Sequence, residues 1–283
     1  MIRAPRRMSP AERSGFTLIE LVVVIIIIAT IAGFVIPQIG MLGRTSDMAA
    51  TAKTQADLAS NIQLFFTLQK RYPQGFDSLV DGSGAIYSPD GSTVTEATQT
   101  YGFPVSGADG AWLGSGAAGS SVGQLTATTL TNTGGSYLRS LTRSGLDWLF
   151  DHSTSATNAN NSATTQRYLI ANGGTGAPSS VNVAEVTGTI LLNRLVPQGL
   201  ATNERIIALG IGPKNTAISK TLTNSPTYPG ADGRYYGRYI AYFKVYASGE
   251  RATLVGVSDS YGRTPDYSQQ QFNESLPDGG RQG

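Results

Sequence analysis

The chain has 283 residues, 21 Lys+Arg against 19 Asp+Glu, one histidine and no cysteine. A formal charge of +2 gives no nucleic-acid footprint, and the missing thiols remove disulfides, zinc-thiolate sites, iron–sulfur clusters and cysteine nucleophiles together. With His152 alone, most imidazole chemistry lacks its usual parts, while 34 Gly and 13 Pro at only 14% charged residues point to many turns rather than a helical bundle.

Residues 1–15 hold Arg3, Arg6, Arg7 and Arg13 against Glu12. From Phe16 to Ile36 the sequence is apolar apart from Glu20 and two threonines, and as a helix it spans about 32 Å, the thickness of a bilayer core. The arginines orient such a span with Met1 to Gly15 in the cytoplasm and the rest of the chain outside. A secretory signal carries its small-residue cleavage site after the apolar run, whereas Gly15 precedes this one. Cleavage there discards the arginines, keeps the helix and leaves a new amine on Phe16. A carboxylate one turn inside an apolar span is costly unless protonated or paired, which makes Glu20 a functional position with the Phe16 amine as its natural partner.

The run Arg-Ser-Gly-Phe-Thr-Leu-Ile-Glu at residues 13–20 resembles the segment of type IV prepilins and type II secretion pseudopilins. In that family a leader peptidase cuts after the glycine and methylates the new phenylalanine amine, and the fifth mature residue is glutamate. The resemblance therefore implies processing at Gly15 and Phe16, N-methylation of Phe16 and an assembly role for Glu20. It also implies as partners a prepilin peptidase/methyltransferase, an inner-membrane assembly platform, the lipid bilayer before assembly, and further copies or other pilin-like subunits in a filament.

Pro37 cannot donate to the carbonyl of Gly33, so Gly33 and Pro37 mark a weak point in the helix. Helical spacing resumes beyond it in Leu42, Ala49, Ala52, Ala56, Ala59, Ile62 and Phe66, and predicts an amphipathic stem to Lys70. A helix over 16–70 would be roughly 80 Å long, with 16–36 the membrane or filament-core half. Arg71-Tyr72-Pro73 ends it. The family layout, a long N-terminal helix packed on an antiparallel sheet, gives an α+β fold with a head over 71–283.

Within the head, Tyr72 to Val80 reads as an exit loop packing Phe76 and Leu79, and the Tyr-Pro pair resembles the pseudopilin branch. Residues 81–135 are rich in Gly, Ser and Thr and read as long connections with a few short strands at most. Ser136 to Phe150 reads as a helix or helix pair broken at Gly145. Strand signals lie mainly in 167–258: Arg167 to Ala171, Val181 to Val196, Arg205 to Ile211, Arg238 to Ala247 and Arg251 to Ser258. The last two are joined at Ser248-Gly249 as a hairpin. Four or five antiparallel strands on the stem, with the other face in water, and an irregular tail from Asp259 follow from this pattern.

Catalysis finds little support: Asp151-His152 has serines nearby but no nucleophile-elbow pattern. No catalytic, cofactor or metal residue is assigned. Some pseudopilins bind calcium in a C-terminal loop, and Asp259, Asp266 and Asp278 lie in the tail, yet their spacing names no ligand set. Tyr228, Tyr235, Tyr236, Tyr239, Tyr242 and Tyr246, with Arg234 and Arg238, read as cross-strand packing before a recognition surface, and the low basic density argues against nucleic acid. The expected function is a structural subunit of a type IV filament, first a type II secretion pseudopilin. A major or minor pilin for adhesion, motility or DNA uptake is the alternative, and a membrane-anchored enzyme or lectin the remote one.

Overall fold

A computed structural model describes residues 18–81, 125–131, 137–152, 165–169, 180–228 and 236–266. By contacts the chain forms two units, Met1–Ser46 and Asp47–Gly283. One helix, α1 (Leu18–Gln69), contributes to both and is assigned without interruption across Gly33 and Pro37. In the first unit the described side chains from Leu18 to Ile31 are exposed, with Gly33 open enough that an added methyl group would meet nothing within 4 Å.

In the second unit α1 is amphipathic, as its spacing predicts, and it ends within a residue of the expected position. The buried stripe is Thr51, Ala52, Gln55, Leu58, Ile62 and Phe65. The expected stripe is thus rotated: Ala56 is exposed and Ala49, Ala59 and Phe66 are half-buried, while Leu42 falls outside the described side chains. Alanine marked the wrong face because it is a good helix former anywhere, whereas Thr51 and Gln55 are buried through polar partners that composition hides. Lys70, at φ +57°, closes the last turn by donating its backbone N–H to Phe66 O at 2.7 Å. Tyr72 then turns inward, with its ring 4.5 Å from Phe66 and 5.1 Å from Phe243 by centroid and its hydroxyl accepting Leu254 N–H at 3.0 Å.

Among the described residues the head has eight strands in one sheet: β1 (Phe76–Asp81), β2 (Leu125–Thr131), β3 (Trp148–His152), β4 (Thr165–Tyr168), β5 (Ser180–Val186), β6 (Glu204–Gly210), β7 (Ile240–Tyr246) and β8 (Thr253–Ser258). Two short helices join them, α2 (Tyr137–Arg143) and α3 (Thr189–Leu195). The order is β2-β5-β6-β1-β3-β4, with β7 on β6 and β8 on β7. All seven β6 residues pair with β7 along one edge; on the other, Ile207 and Ala208 pair with β5 and Gly210 with β1, so the sheet forks at β6. Antiparallel pairing dominates, as expected for the α+β class. The exception is β1 with β3, which run parallel, Phe76 opposite Leu149, because the long connection through β2 and α2 returns the chain in the same direction.

Several expected boundaries change. Phe76–Asp81 is a strand rather than an exit turn, and Leu125–Thr131 is a strand within the Gly/Ser/Thr-rich region. Trp148–His152 is β3 rather than the second half of a helix, so His152 closes a strand opposite Asp81. The span Val181 to Val196 divides at Thr187-Gly188 into β5 and α3; Gly188 has extended backbone, and its carbonyl accepts Leu192 N–H at 3.0 Å. The β7–β8 hairpin forms where Ser248-Gly249 predicts it, with Gly249 at φ +73°.

Neither face of the central sheet is left to water, contrary to expectation. Ile207 and Leu209 of β6 and Ala241, Phe243 and Val245 of β7 join Leu58, Ile62, Leu138 and Leu141 in one core. The alternate residues Ile206, Ala208, Ile240 and Tyr242 join Leu191 in a second core, against which Leu192, Leu195 and Val196 also pack. The helices α1 and α2 therefore cover one face and α3 the other. Close fit at the fork depends on two glycines: a Cβ on Gly210 would lie 2.1 Å from Tyr236 Oη, and one on Gly212 2.6 Å from both carboxylate oxygens of Asp77. Asp77, fully buried in β1, accepts a hydrogen bond at Oδ2 from the Tyr236 hydroxyl at 2.8 Å.

Candidate assembly segment and the stem–head junction

The N-terminal part of α1 has apolar side chains on every side of the helix. Leu18 is 81% exposed and Ile19 71%, and the large residues from Leu21 to Ile31 range from 43% to 60%. A helix with no polar stripe does not settle onto a sheet by one face; it belongs in lipid or among other apolar helices. Its interior polar group is accommodated locally, since the Thr30 hydroxyl bonds back to Ile26 O within the same helix. Among the described residues, no helix is long and apolar enough to cross a membrane. The apolar stretch with described side chains, residues 18–33, amounts to about 24 Å of helix against about 30 Å of hydrocarbon.

Glu20 lies in the first turn of α1 and is exposed. Gly15 and Phe16, the expected processing and methylation positions, lie outside the described residues.

The second polar arrangement fixes the stem to the end of the sheet. After β8 the chain makes a tight loop in which Asp259, 1% exposed, accepts the backbone N–H groups of Tyr261 at 2.9 Å and Arg263 at 3.0 Å. Arg263 Nε donates to its other carboxylate oxygen at 3.0 Å. The same guanidinium donates from Nη2 to Tyr228 Oη at 2.7 Å and stacks 4.6 Å over the Tyr261 ring. Gln55 of α1 donates from Nε2 to the Arg263 carbonyl at 2.8 Å, and Tyr239 bonds with Thr51 and Thr54 of the same helix. Burial pushes the Asp259 carboxyl above its usual range, and the guanidinium and N–H donors pull it back.

Of the acids in the tail, Asp259 has both carboxylate oxygens facing hydrogen-bond donors. Asp266 is exposed, Asp278 lies outside the described residues, and no cluster of three potential metal-ligating groups occurs among the described residues. The tyrosine series packs inward: Tyr236, Tyr239 and Tyr242 are buried, Tyr228 is 9% exposed and Tyr246 half-buried, while Tyr235 and Arg234 lie outside the described residues. Arg238, 9% exposed, donates to the carbonyl and hydroxyl oxygens of Ser225. A recognition surface there is not what these described side chains build.

Residues 11–36 match the model of the prokaryotic N-terminal methylation motif, the prepilin-type cleavage and methylation segment. The motif supports a type IV pilin-like subunit in the broad sense, pilins and pseudopilins alike, and marks structural proteins processed by prepilin peptidase and assembled with other pilin subunits. No curated protein and no solved structure matches the chain.

Two predictions follow from the junction. Replacing Arg263 with Ala leaves Asp259 buried without its counter-charge, which should destabilise the head by about 3 kcal/mol and lower its thermal midpoint by roughly 6–12 °C. Adding Asp259→Asn to that variant should recover part of the loss in the same melting experiment. The second concerns alkali. Burial raises the hydroxyl pKa values of Tyr72, Tyr228, Tyr239 and Tyr242 in the folded state. Their stabilising contribution is fully present below the unfolded value of about 10 and is lost as pH rises above it. Tyrosinate absorbance at these residues should therefore appear together with loss of circular dichroism, rather than before it.

Proposed function

We propose that the chain is a structural subunit of a type II secretion-type pseudopilus, made as a precursor and anchored in the inner membrane through residues 16–36. In this reading its N-terminus is cytoplasmic and its head lies outside. A prepilin peptidase/methyltransferase cuts after Gly15 and methylates Phe16, and an inner-membrane assembly platform then draws the subunit out of the bilayer. The observation that carries this reading is the helix from Leu18 to Ile31, apolar on all sides, with one carboxylate at its start.

The physics of assembly follows from that helix. Leaving lipid is tolerable only if other apolar helices replace it, and head-to-tail contacts that do not close on themselves build an open filament. Glu20 of an incoming subunit neutralises the Phe16 amine of its neighbour; a wrong axial register leaves the acid unpaired and is rejected. Gly33 and Pro37 let the helix loosen where the proline removes a hydrogen bond, as subunits adjust to the filament. A minor pilin that initiates or decorates a type IV pilus is the second reading, favoured by a head, 71–283, that is large for a major repeating subunit.

Gly15→Ala should leave the precursor uncut, seen as a larger band and an unprocessed N-terminus by mass spectrometry. Glu20→Ala should be processed and membrane-inserted yet fail to enter filaments; normal incorporation would remove the register mechanism. Loss of protein secretion without loss of surface pili in a deletion strain separates the pseudopilus from the pilus reading.

A further inference from the structure

The end of the head at which the stem terminates carries a cationic rim built on two glycine turns. Arg71 lies against Gly145: a Cβ added there would come 2.3 Å from the Arg71 Cβ. Arg139 lies along Gly249, whose added Cβ would sit 3.1 Å from the Arg139 Cδ, and Arg143 Nη1 donates to the Gly249 carbonyl at 3.0 Å. Lys70 precedes Arg71, and Arg251 follows Gly249 by two residues. All five cations are exposed, and Glu250 is the exposed carboxylate of the hairpin turn between them.

Packing on a glycine turn needs only a hydrocarbon stem, so it does not account for charge on five neighbouring positions in a chain with 14% charged residues. It does order the side chains: aliphatic stems held on Cβ-less turns lose less rotamer freedom when their guanidinium forks bind paired oxygens. We infer that this rim is a binding surface for an acidic polysaccharide. The inference rests on the filament reading only in placing the head outside the cytoplasm.

Three features select that partner class. The large apolar side chains exposed beside the rim, Leu64 and Leu68 in the last turns of α1, are aliphatic, and the rim has no exposed aromatic anchor among the described residues, the kind of side chain in which tight protein interfaces are enriched. The neighbouring rings already carry cations, Arg205 4.6 Å from the Tyr137 ring and Lys244 5.3 Å from that of Tyr246, leaving those faces poor platforms for unstacked bases. Duplex DNA bears one charge per roughly 1.7 Å and rewards a long basic track, whereas this rim is confined to two turns. A polymer with its carboxylates spaced along sugar units suits a short, preordered row of guanidinium groups.

The test uses the full chain as unassembled subunits in detergent, with alginate oligosaccharides and a 30-base-pair DNA duplex as probes. Wild type should bind alginate, and more weakly as salt rises. The triple variant Arg71→Gln, Arg143→Gln, Arg251→Gln should bind it at least about tenfold more weakly, a loss of about 1.4 kcal/mol, with a shallower salt dependence. Lys214→Gln with Lys220→Gln, exposed cations elsewhere, should change nothing, and Arg→Lys at the three rim positions should restore part of the binding. Unaltered melting of the triple variant checks that the head is folded. No alginate binding by wild type, equal loss in the control variant, or a preference for the duplex overturns the inference. Because subunits are measured unassembled, failure of filament formation would not mimic any of these results. If the triple variant lost filament incorporation while wild type ignored alginate, the rim would be a subunit contact instead.

Discussion

Along α1 the relation between side chains and surroundings changes. From Leu18 to Ile31 every face is apolar and exposed, whereas from Thr51 to Phe65 a single stripe is buried. The first kind of helix can be satisfied only by something outside the subunit, and the second only by the subunit's own sheet. Everything else follows from meeting both demands. The sheet must bury an amphipathic stem on one side, and a chain this rich in glycine must still close its other side, which α3 and the second core accomplish.

Because β6 and β7 serve both cores with alternate residues, they carry near-continuous apolar sequence, Ile-Ile-Ala-Leu and Ile-Ala-Tyr-Phe, rather than alternation with polar positions. Fully two-sided burial also explains why polar groups inside the head are bound so closely. Asp77 meets Tyr236, Tyr242 meets Ser258 at 2.7 Å, and Asp259 meets Arg263. A chain without cysteine has no disulfide to hold the segment after β8. The ionic loop from Asp259 to Arg263, hydrogen-bonded to Gln55, ties that segment to the stem instead. Such a tie is conditional in a way a disulfide is not: removing one charge leaves the other buried.

How legible these features were depended on how local they are. The stem was readable because its period persists over many turns, and its end because Tyr72-Pro73 follows directly. The strands β6, β7 and β8 were readable as Val/Ile/Tyr/Phe runs. In β1 the signal was masked by Asp77 and Ser78, polar residues buried in the sheet. In β2 threonine looked like loop composition, although a β-branched residue with one polar atom suits a half-exposed strand. The short apolar run of β3 has no period that separates a buried strand from a helix. Gly15, Phe16 and Glu20 lie within six positions, inside the segment 11–36 that matches the methylation motif, so that pattern could be read locally. Gln55 and Arg263 are 208 residues apart, and nothing in either neighbourhood announces the bond.

The same contrast governs charge. The arginines of residues 1–15 are concentrated in sequence and dominate any reading of net charge, yet cleavage after Gly15 would leave 17 basic and 18 acidic side chains. A near-neutral head has little long-range field with which to steer a charged partner, and at physiological salt screening removes most of what exists beyond about 8 Å. Any electrostatic recognition must then come from cations brought close together by the fold. Arg71, Arg143 and Arg251 are distant in sequence, and the turns at Gly145 and Gly249 gather them at one end. Close spacing raises the local potential that an approaching carboxylate meets, while the rest of the surface stays close to charge balance. In a filament the rim would recur once per subunit, so contacts too weak to hold a polymer singly would act together wherever one chain spans several copies.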